Sequence, residues 1–326
     1  MNRQDGIAIV VVMWIILVLS LLISGFAFRM HVETQVASFG RKELKAQMLA
    51  RSGIEVARMQ LILDEKSPTD AGFDSLGQAW STNEILYVNH SLGDGTYNVK
   101  VFDEERKLPA NALQREQWKR LMDVLEIDPL EGDVIVDSIL DWTDEDDLHQ
   151  LNGAEDDYYS KLEPPYRAKN GPLDRIEELL LVRGVTKELF EGTPAVESEP
   201  GRAGLRELLT TTSNGKVNVN TASAPVLQTI FGLDDTQVAA ILARRDGQDG
   251  APGTEDDQPF RSAGDFVPLL GTHDAKLNNF VTVQSEFFRV ESTGQWGGVK
   301  HTISVVLHRQ GGNCYVVSWN EPRGGS

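Results

Sequence analysis

The hydrophobic pattern of the chain is dominated by one uncharged apolar run close to the N-terminus. Residues 7–28 contain no charged side chain, and a polar leader that ends in Gly6 precedes them. A helix of about 22 residues, rising about 1.5 Å per residue, approaches the roughly 30 Å hydrocarbon thickness of a bilayer. The next proline is Pro68, so the same helix can continue into water to a total length of roughly 85–90 Å. The pattern predicts a transmembrane helix over residues 7–28 and a stalk over residues 29–66.

Two ordinary alternatives compete with this anchor. A cleaved secretory signal peptide has a basic leader, an apolar core of about 7–15 residues and a small-x-small exit site. Here the run is longer, Arg3 is balanced by Asp5, and residues 24–27 make a poor exit site. An ordinary signal anchor is the other alternative, and it stays open.

The stalk carries an amphipathic pattern whose apolar positions recur at spacings of three to five. Such a pattern predicts one stripe to bury, which we expect to pack on the chain's own sheet rather than on a partner. Gly40 and Gly53 weaken the helix, so we expect bends there. The apolar positions are Val32, Val36, Phe39, Leu44, Met48 and Leu49.

Strand patterns flank a long helical stretch. Alternation predicts strands over residues 85–88 and 97–102, and another strand on which His301, Ile303, Val305 and Leu307 share a face with Val299. The segment from Cys314 to Trp319 is predicted as its hairpin partner, with Cys314 a small apolar strand residue. Helical patterns cover residues 113–125, 134–140, 173–182, 224–230, 237–244 and 265–270.

These patterns predict an α+β fold in which a long N-terminal helix packs on a small antiparallel sheet. The sheet comes from residues 67–110 and 284–326, and residues 111–283 form a large inserted all-α domain. The two ends of such an insertion should lie close together so that the sheet can close around it.

The insert contains two short units that resemble a helix-hairpin-helix. The clearer one runs through residues 217–223, where Thr221 or Ser223 can cap a helix with Pro225 in its first turn. A fainter twin lies at residues 181–186. Such units often grip DNA, with Arg244 and Arg245 placed to assist, but the simpler interpretation is a helical domain with well-capped helices.

Charge argues against nucleic acid as a partner. The formal net charge is -18, with 49 acidic against 31 basic residues. A strongly acidic chain repels phosphate backbones. Motifs for nucleophilic, phosphate-binding or metal-assisted catalysis are missing from the sequence, so we predict no enzyme.

Acidic runs near the middle of the chain are a candidate cation site. Residues 141–147 and 153–159 place eight carboxylates within 17 residues, and residues 246–257 form a third acidic, glycine-rich loop. Calcium takes six to eight oxygen ligands in a flexible shell and relieves such repulsion, although a solvated acidic face is the alternative. The spacing does not match an EF-hand. The candidate ligands are Glu155, Asp156 and Asp157, followed by Asp141, Asp144 and Asp146.

The leader glycine before the apolar helix resembles the processing site of type IV prepilins and type II secretion pseudopilins. In that class a prepilin peptidase cuts after the glycine, here between Gly6 and Ile7. Most members carry glutamate at the fifth mature position, whereas this chain has Val11. The missing glutamate, the Asn-x-Asn-Thr-Ala segment at 218–222 and the acidic motifs around Trp142 together resemble the type II secretion minor pseudopilin K family.

The resemblance implies a pseudopilin fold, a calcium cofactor in the helical domain and a role in assembly. It implies an inner-membrane protein with its bulk in the periplasm, which joins minor pseudopilins I and J at the pseudopilus tip, with H as a further candidate partner. The prepilin peptidase, the inner-membrane assembly platform and membrane lipid are the other implied partners, with no nucleic acid. A membrane-anchored DNA-uptake receptor and a type IV minor pilin remain the alternative functions.

Overall fold

The computed structural model describes residues 3–69, 71–195, 201–270 and 277–321, without the side chains of the first eight residues. Its helices are α1 (Arg3–Lys66), α2 (Ala79–Thr82), α3 (Glu84–Tyr87), α4 (Arg115–Val124), α5 (Pro129–Thr143), α6 (Asp156–Tyr159), α7 (Lys187–Glu191), α8 (Leu205–Leu208), α9 (Ala224–Phe231), α10 (Asp235–Arg245) and α11 (Ala263–Phe266). Its strands are β1 (His90–Leu92), β2 (Gly95–Asp103), β3 (Leu108–Pro109), β4 (Gly192–Thr193), β5 (Arg202–Ala203), β6 (Leu209–Thr210), β7 (Val217–Asn218), β8 (Val281–Thr282), β9 (Phe287–Trp296), β10 (Val299–Gln310) and β11 (Asn313–Asn320).

The long helix α1 has two different halves. Its apolar N-terminal part is long and apolar enough to cross a bilayer, and none of its most apolar stretch is buried. Its C-terminal part buries a narrow stripe on the sheet, so one helix joins the membrane span to the folded body. The members of the stripe are Ala46, Leu49, Ala50, Ile54, Ala57 and Leu61.

The predicted stripe on the stalk is wrong except for Leu49. Leu44 and Met48 are about half exposed, and Val32, Val36 and Phe39 are also exposed. Small alanines make the closer contact with the sheet, so the helix turns its alanine-rich face inward and leaves the larger apolar residues outside.

Gly53 on α1 and Gly294 on β9 make this close approach possible. The helix α1 continues without a break through Gly40 and Gly53, where bends were expected. A Cβ added at Gly53 would overlap Ser292 Oγ on β9. A Cβ added at Gly294 on β9 would overlap the main-chain oxygen of Ala46. Gly53 therefore lets the helix pack closely on the sheet, whereas the sequence predicted a bend in the helix at this residue.

The main sheet has five antiparallel strands in the order β1-β2-β9-β10-β11. One face of β2, β9 and β10 packs on α1, with Val99, Val290 and Val305 in the core. The predicted face of β10 is confirmed, since His301, Ile303, Val305 and Leu307 are all buried, and so is its hairpin with β11.

The strand predicted over residues 85–88 is wrong. This segment forms α3, a single turn of helix whose first amides are capped by Asn83: its side chain accepts a 3.1 Å hydrogen bond from the Leu86 amide. The local cap outweighs the apolar alternation. β9 was missed as a strand, because two of its buried positions are Ser292 and Gly294, which interrupt the apolar alternation.

Residues between β2 and β9 form the insert, and its two ends are adjacent. Asp103 at the end of β2 pairs in register with Phe288 near the start of β9. Arg309 ties this region to the far end of α1, donating to the Leu61 carbonyl at 3.4 Å and to the Ser285 carbonyl at 2.8 Å. The insert therefore lies at the end of α1 that is remote from the apolar run.

The insert is mainly helical and has its own hydrophobic core, with Trp118, Leu121, Ile139 and Phe190 among its most buried residues. Three two-stranded pairings accompany the helices: β3 with β6, β4 with β5 and β7 with β8. Two of these pairings are parallel and join segments that are distant in sequence.

Candidate functional site

The predicted processing and assembly positions lie at the start of α1. The backbone of Gly6 and Ile7 is helical, and the side chain of Ile7 is not among those that the structure describes. Val11 is 51% exposed, within a band of apolar side chains from Ile9 to Phe28 that are mostly exposed. An uncharged band of this kind matches the interior of a bilayer, where a carboxylate at the Val11 position would cost a few kcal/mol unless paired.

Two carboxylates of the predicted calcium site are buried in the insert. Asp141, in the last turn of α5, is fully buried, and one of its oxygens accepts a 2.9 Å hydrogen bond from the Gln150 amide. Glu155 is 2% exposed, and burial together with the charges of nearby Asp141 and Asp144 raises its pKa to about 7. Two acids held this close lower their free energy by protonation or by taking up a cation.

Several oxygens of this acidic cluster have no partner among the described residues. They are Oδ2 of Asp141, Oδ1 of Asp144 and both carboxyl oxygens of Glu155. Gly153 lies against Asp141 so closely that an added Cβ would overlap its Oδ2. Burial also raises the pKa of Asp141 and of Asp144. Buried acceptors without donors are rare, so the cluster is short of positive charge.

An aromatic group adjoins the acidic cluster and explains part of its burial. Trp142, the neighbour of Asp141, packs edge-on against Tyr159 with ring centroids 5.2 Å apart. Tyr159 stacks on Tyr166 at 5.3 Å. Trp142 and Tyr159 belong to the acidic motifs themselves, so the motifs supply both the carboxylates and the buried rings beside them in sequence.

The other predicted ligands are engaged elsewhere. Asp146 caps its own loop by accepting from the Leu148 amide at 2.8 Å, and Asp156 accepts from the Ala168 amide at 2.8 Å. Asp157 is exposed and pairs with His149 at 2.9 Å and with Lys161 at 3.3 Å. The structure therefore groups Asp141, Asp144 and Glu155, with Asp146 near enough to raise the pKa of Asp144 and of Glu155. Asp156 and Asp157 are engaged in other contacts.

Asn170 is a candidate that sequence reasoning missed. Its side-chain nitrogen donates to Asp147 at 2.8 Å, and its Oδ1 is buried without a partner among the described residues. Its backbone has φ 48, in the left-handed region. Asn tolerates the left-handed region better than most residues. The signal in the sequence is the Asn170-Gly171 pair, which is typical of a turn.

The donor set suits a hard cation in its chemistry, because carboxylate and amide oxygens are the ligands that calcium prefers. Within the described ranges, however, no group of three or more Asp, Glu, His or Cys side chains is arranged to hold a metal ion.

The Asn-x-Asn-Thr-Ala segment lies at the junction of the insert and the sheet. Asn218 is fully buried and donates to Ser285 Oγ at 2.8 Å and to Asp103 Oδ2 at 3.2 Å. Thr221 donates to the same Asp103 oxygen at 2.6 Å. Ser223, and not Thr221, is the N-cap residue of α9. The motif therefore binds the two parts of the molecule to each other.

The hairpin between α9 and α10 turns at Gly232, whose φ of 67 is left-handed. Arg245 is buried, pairs with Asp246 and donates to the Ala222 carbonyl at 2.6 Å, so it holds the hairpin together. Arg244 is exposed and lies over the ring of Phe260. Of the two arginines considered for nucleic acid, one is thus a structural residue.

Family models described as "Type II secretion system (T2SS), protein K" match residues 95–194 and residues 217–284, together just over half of the chain. Type II secretion system protein K of Pseudomonas aeruginosa is 26% identical over 337 residues, covering 99% of this chain and 94% of that protein. The Aeromonas hydrophila protein of the same name is 28% identical over 343 residues, covering 97% of this chain and 96% of that protein.

A solved structure shares the fold. The crystal structure of the GspK-GspI-GspJ complex from the enterotoxigenic Escherichia coli type 2 secretion system contains a chain with a TM-score of 0.69 and 19% identity. The match covers 88% of this chain and 99% of that one. With matched residues in both the sheet and the insert and relatives aligned over almost the full length, the chain belongs to the type II secretion system protein K family.

Proposed function

We propose that this chain is the minor pseudopilin that joins pseudopilins I and J in a tip complex and starts assembly of the pseudopilus. The observation that carries the proposal is the combination of an apolar helix, a sheet packed on its continuation and a bulky insert. The structural relative was crystallised with GspI and GspJ, which supports these two partners. Its role is assembly, and no step of catalysis is assigned to it.

The N-terminal segment supports processing and membrane anchoring. A prepilin peptidase cuts between Gly6 and Ile7, and the protein stays in the inner membrane with its body in the periplasm. The mass of the protein extracted from membranes should correspond to a chain that begins at Ile7. Gly6→Leu should retain the leader, because a side chain blocks the close approach of the backbone to the peptidase. An intact initiator methionine in the unaltered protein would overturn the proposal.

Two features make this subunit a cap. The insert lies at the end of α1 remote from the membrane, where it blocks addition of a further subunit above it. The absence of a carboxylate at Val11 removes the partner for a neighbouring subunit's N-terminal amine.

Crosslinking of Val11→Glu separates these two features. The proposal expects this variant to remain at the tip, because the insert alone prevents addition above it. Val11→Gln is the matched uncharged control. If Val11→Glu appears within the filament while Val11→Gln stays at the tip, the charge argument is correct and the steric argument is wrong.

We also propose that calcium binds the acidic cluster through Asp141, Asp144 and Glu155, with Asn170 as a further oxygen ligand. The cation supplies positive charge to oxygens that otherwise have no partner. Calcium should raise the melting temperature of the full chain in detergent, and a chelator should reverse the rise. A ligand at about 100 times its Kd stabilises by about 2.7 kcal/mol.

Two variants test the assignment. Asp141→Asn with Glu155→Gln should remove the effect of calcium on the melting temperature, while Asp157→Asn should keep it, because Asp157 is engaged with Lys161 and His149. An unchanged calcium response in the double variant would contradict this site.

A further inference from the structure

The strand β11 ends the main sheet with an open edge. Among the described residues it pairs with β10 on one side only, and it lies last in the strand order. Its sequence, Asn-Cys-Tyr-Val-Val-Ser-Trp-Asn, contains no charged residue and no proline. Tyr315 is 55% exposed and Val317 is 54% exposed. This edge is therefore long, neutral and apolar.

The opposite edge of the same sheet is built differently. β1 has only three residues, and a short strand is one of the ways in which proteins protect a sheet edge from pairing with other chains. Charged residues, prolines and bulges at the edge serve the same purpose. β11 has eight residues and a single irregularity opposite Val306 and Leu307, so most of its outer edge stays available.

Both faces of β11 present apolar side chains beside this edge. Val316 lies opposite Leu307 and Trp319 lies opposite Val305, on the face that packs against α1. Tyr315 lies opposite His308, on the other face. A strand added to β11 would thus lie beside apolar side chains on both faces of the sheet.

The end of the edge strand is fastened to the body. Glu321 accepts from Trp319 Nε1 at 3.0 Å, lies 2.8 Å from His301 Nε2 and pairs with Arg51 at 3.6 Å. Arg51 also lies over the ring of Trp319. An edge that is already ordered costs less conformational entropy when it binds an extended segment.

A cleft adjoins the same edge. Its volume is about 930 Å³, and it separates the outer face of the sheet from the insert. Val317 and Ser318 line it from β11, Phe102 from β2, and Arg206 from the insert. Side chains of an added strand that point to this face can enter the cleft, which gives selectivity beyond main-chain hydrogen bonds.

We propose that β11 accepts an extended segment of another pseudopilin subunit, which joins the sheet as a sixth strand. This rests on the proposed function, in which the chain assembles with other subunits. A second copy of this chain is a poor occupant, because each copy carries a net charge of -18. The segment expected is uncharged, with alternate side chains that fill the cleft.

Hydrogen exchange of the full chain in detergent, alone and with purified pseudopilins I and J, tests the proposal. Amides of β11 should exchange at least about tenfold more slowly in the complex, because added pairing protects them. Val316→Lys with Val317→Lys should weaken complex formation about tenfold or more, since edge lysines oppose strand addition. Ser91→Lys, on the short opposite edge, is the matched control and should leave binding unchanged.

The outcomes separate this inference from the proposed function. If the complex forms but β11 gains no protection and the lysine variant binds normally, the inference is wrong while the tip role stands. If neither I nor J binds at all, the proposed function fails as well. Protection of β11 in the chain alone that grows with its concentration would show a second copy as the occupant and overturn the choice of partner.

Discussion

Asp141 is the residue at which burial and charge conflict most sharply in the insert. It is fully buried, one of its oxygens has no partner among the described residues, and Glu155 lies nearby with a raised pKa. Gly153 permits this arrangement because it has no side chain to displace the carboxylate.

Gly153→Ala should therefore destabilise the insert. The new methyl group would overlap Asp141 Oδ2, and the displacement should cost roughly 1–3 kcal/mol of unfolding free energy. Denaturant unfolding of the full chain in detergent measures this loss. Gly171→Ala is the control, because an added Cβ there meets only the Lys169 carbonyl at 3.9 Å, and equal losses in both variants would contradict the explanation.

At the scale of single residues, the sequence predicted where the acidic cluster lies along the chain, but it did not predict which of its carboxylates are buried. The density of carboxylates identified the acidic cluster, and Asp141, Asp144 and Glu155 do share it. Which acids are buried depends on tertiary packing, so Asp156 and Asp157 could not be separated from Glu155 by spacing alone. Asn170 is 15 residues beyond Glu155, and only the fold brings its amide to Asp147.

Among elements, α1 and β9 approach each other closely. Gly294 lies under the backbone of α1, beside Ala46 and Ala50. The pattern of large apolar residues predicted a helix that packs on a sheet but selected the wrong face. Alanine and glycine carry little hydrophobic signal, although they allow the tightest packing.

Gly294→Ala should loosen this contact. An added Cβ would overlap the Ala46 carbonyl oxygen and meet the Ala50 nitrogen, both of which belong to the rigid backbone of α1. The expected cost is about 3 kcal/mol or more. Thermal unfolding provides the measurement, with Gly264→Ala as a control whose Cβ makes only ordinary contact with Ser262 Oγ. A melting temperature equal to that of the control would show that the helix can shift freely.

The junction between the insert and the sheet gives a second prediction about elements. Asn218→Ala removes donors from Asp103, from Ser285 Oγ and from the Asp74 carbonyl, all of them buried. Ser285 Oγ and the Asp74 carbonyl then lose a buried donor, while Asp103 Oδ2 keeps the donors Thr221 and Ser285, and the loss should cost roughly 2–4 kcal/mol. Asn214→Ala, in an exposed turn, should cost less than about 0.5 kcal/mol. Limited proteolysis should also release the insert more readily from the Asn218 variant than from the Asn214 variant.

For the whole molecule, buried carboxylates at the junction make stability depend on pH. Burial raises the pKa of Asp103 to about 6 and that of Glu105 to about 8. Both groups bind protons more tightly in the folded chain than in the unfolded one. The free energy of unfolding should therefore fall as pH rises from about 4.5 to about 8.

Glu105→Gln should remove much of this dependence. The variant should be more stable than the unaltered chain at pH 8 by roughly 1–3 kcal/mol and nearly equal to it at pH 5. Denaturant unfolding at both pH values measures the difference, with the exposed Glu116→Gln as control. A variant that is less stable at pH 8 would show that the Glu105 carboxylate is needed in its charged form. Glu321 acts in the opposite direction, because its partners lower its pKa to about 2, so its contribution to stability is lost as the pH falls from about 4.5 to about 2.

The sequence predicted the architecture at this scale, namely an anchor helix, a sheet in two parts and a large insertion between them. It could not show that the insertion is fastened by buried polar contacts, because hydrogen bonds such as those of Asn218 join residues more than a hundred positions apart. Nor did it show the short parallel pairings, whose strands have only two residues each.

Because Asp103 pairs with Phe288, the two strand ends that flank the insert lie side by side, and deletion of the insert would leave them adjacent. Adjacent strand ends can be joined by a tight turn of a few residues, so the whole insert is a removable module on an otherwise ordinary small filament subunit. A variant without the insert, in which Asp103 and Glu105 are also replaced by neutral residues, would keep the N-terminal helix and the sheet. Insertion of a coding segment between these two strands is a simple route by which a filament subunit acquires a large additional domain.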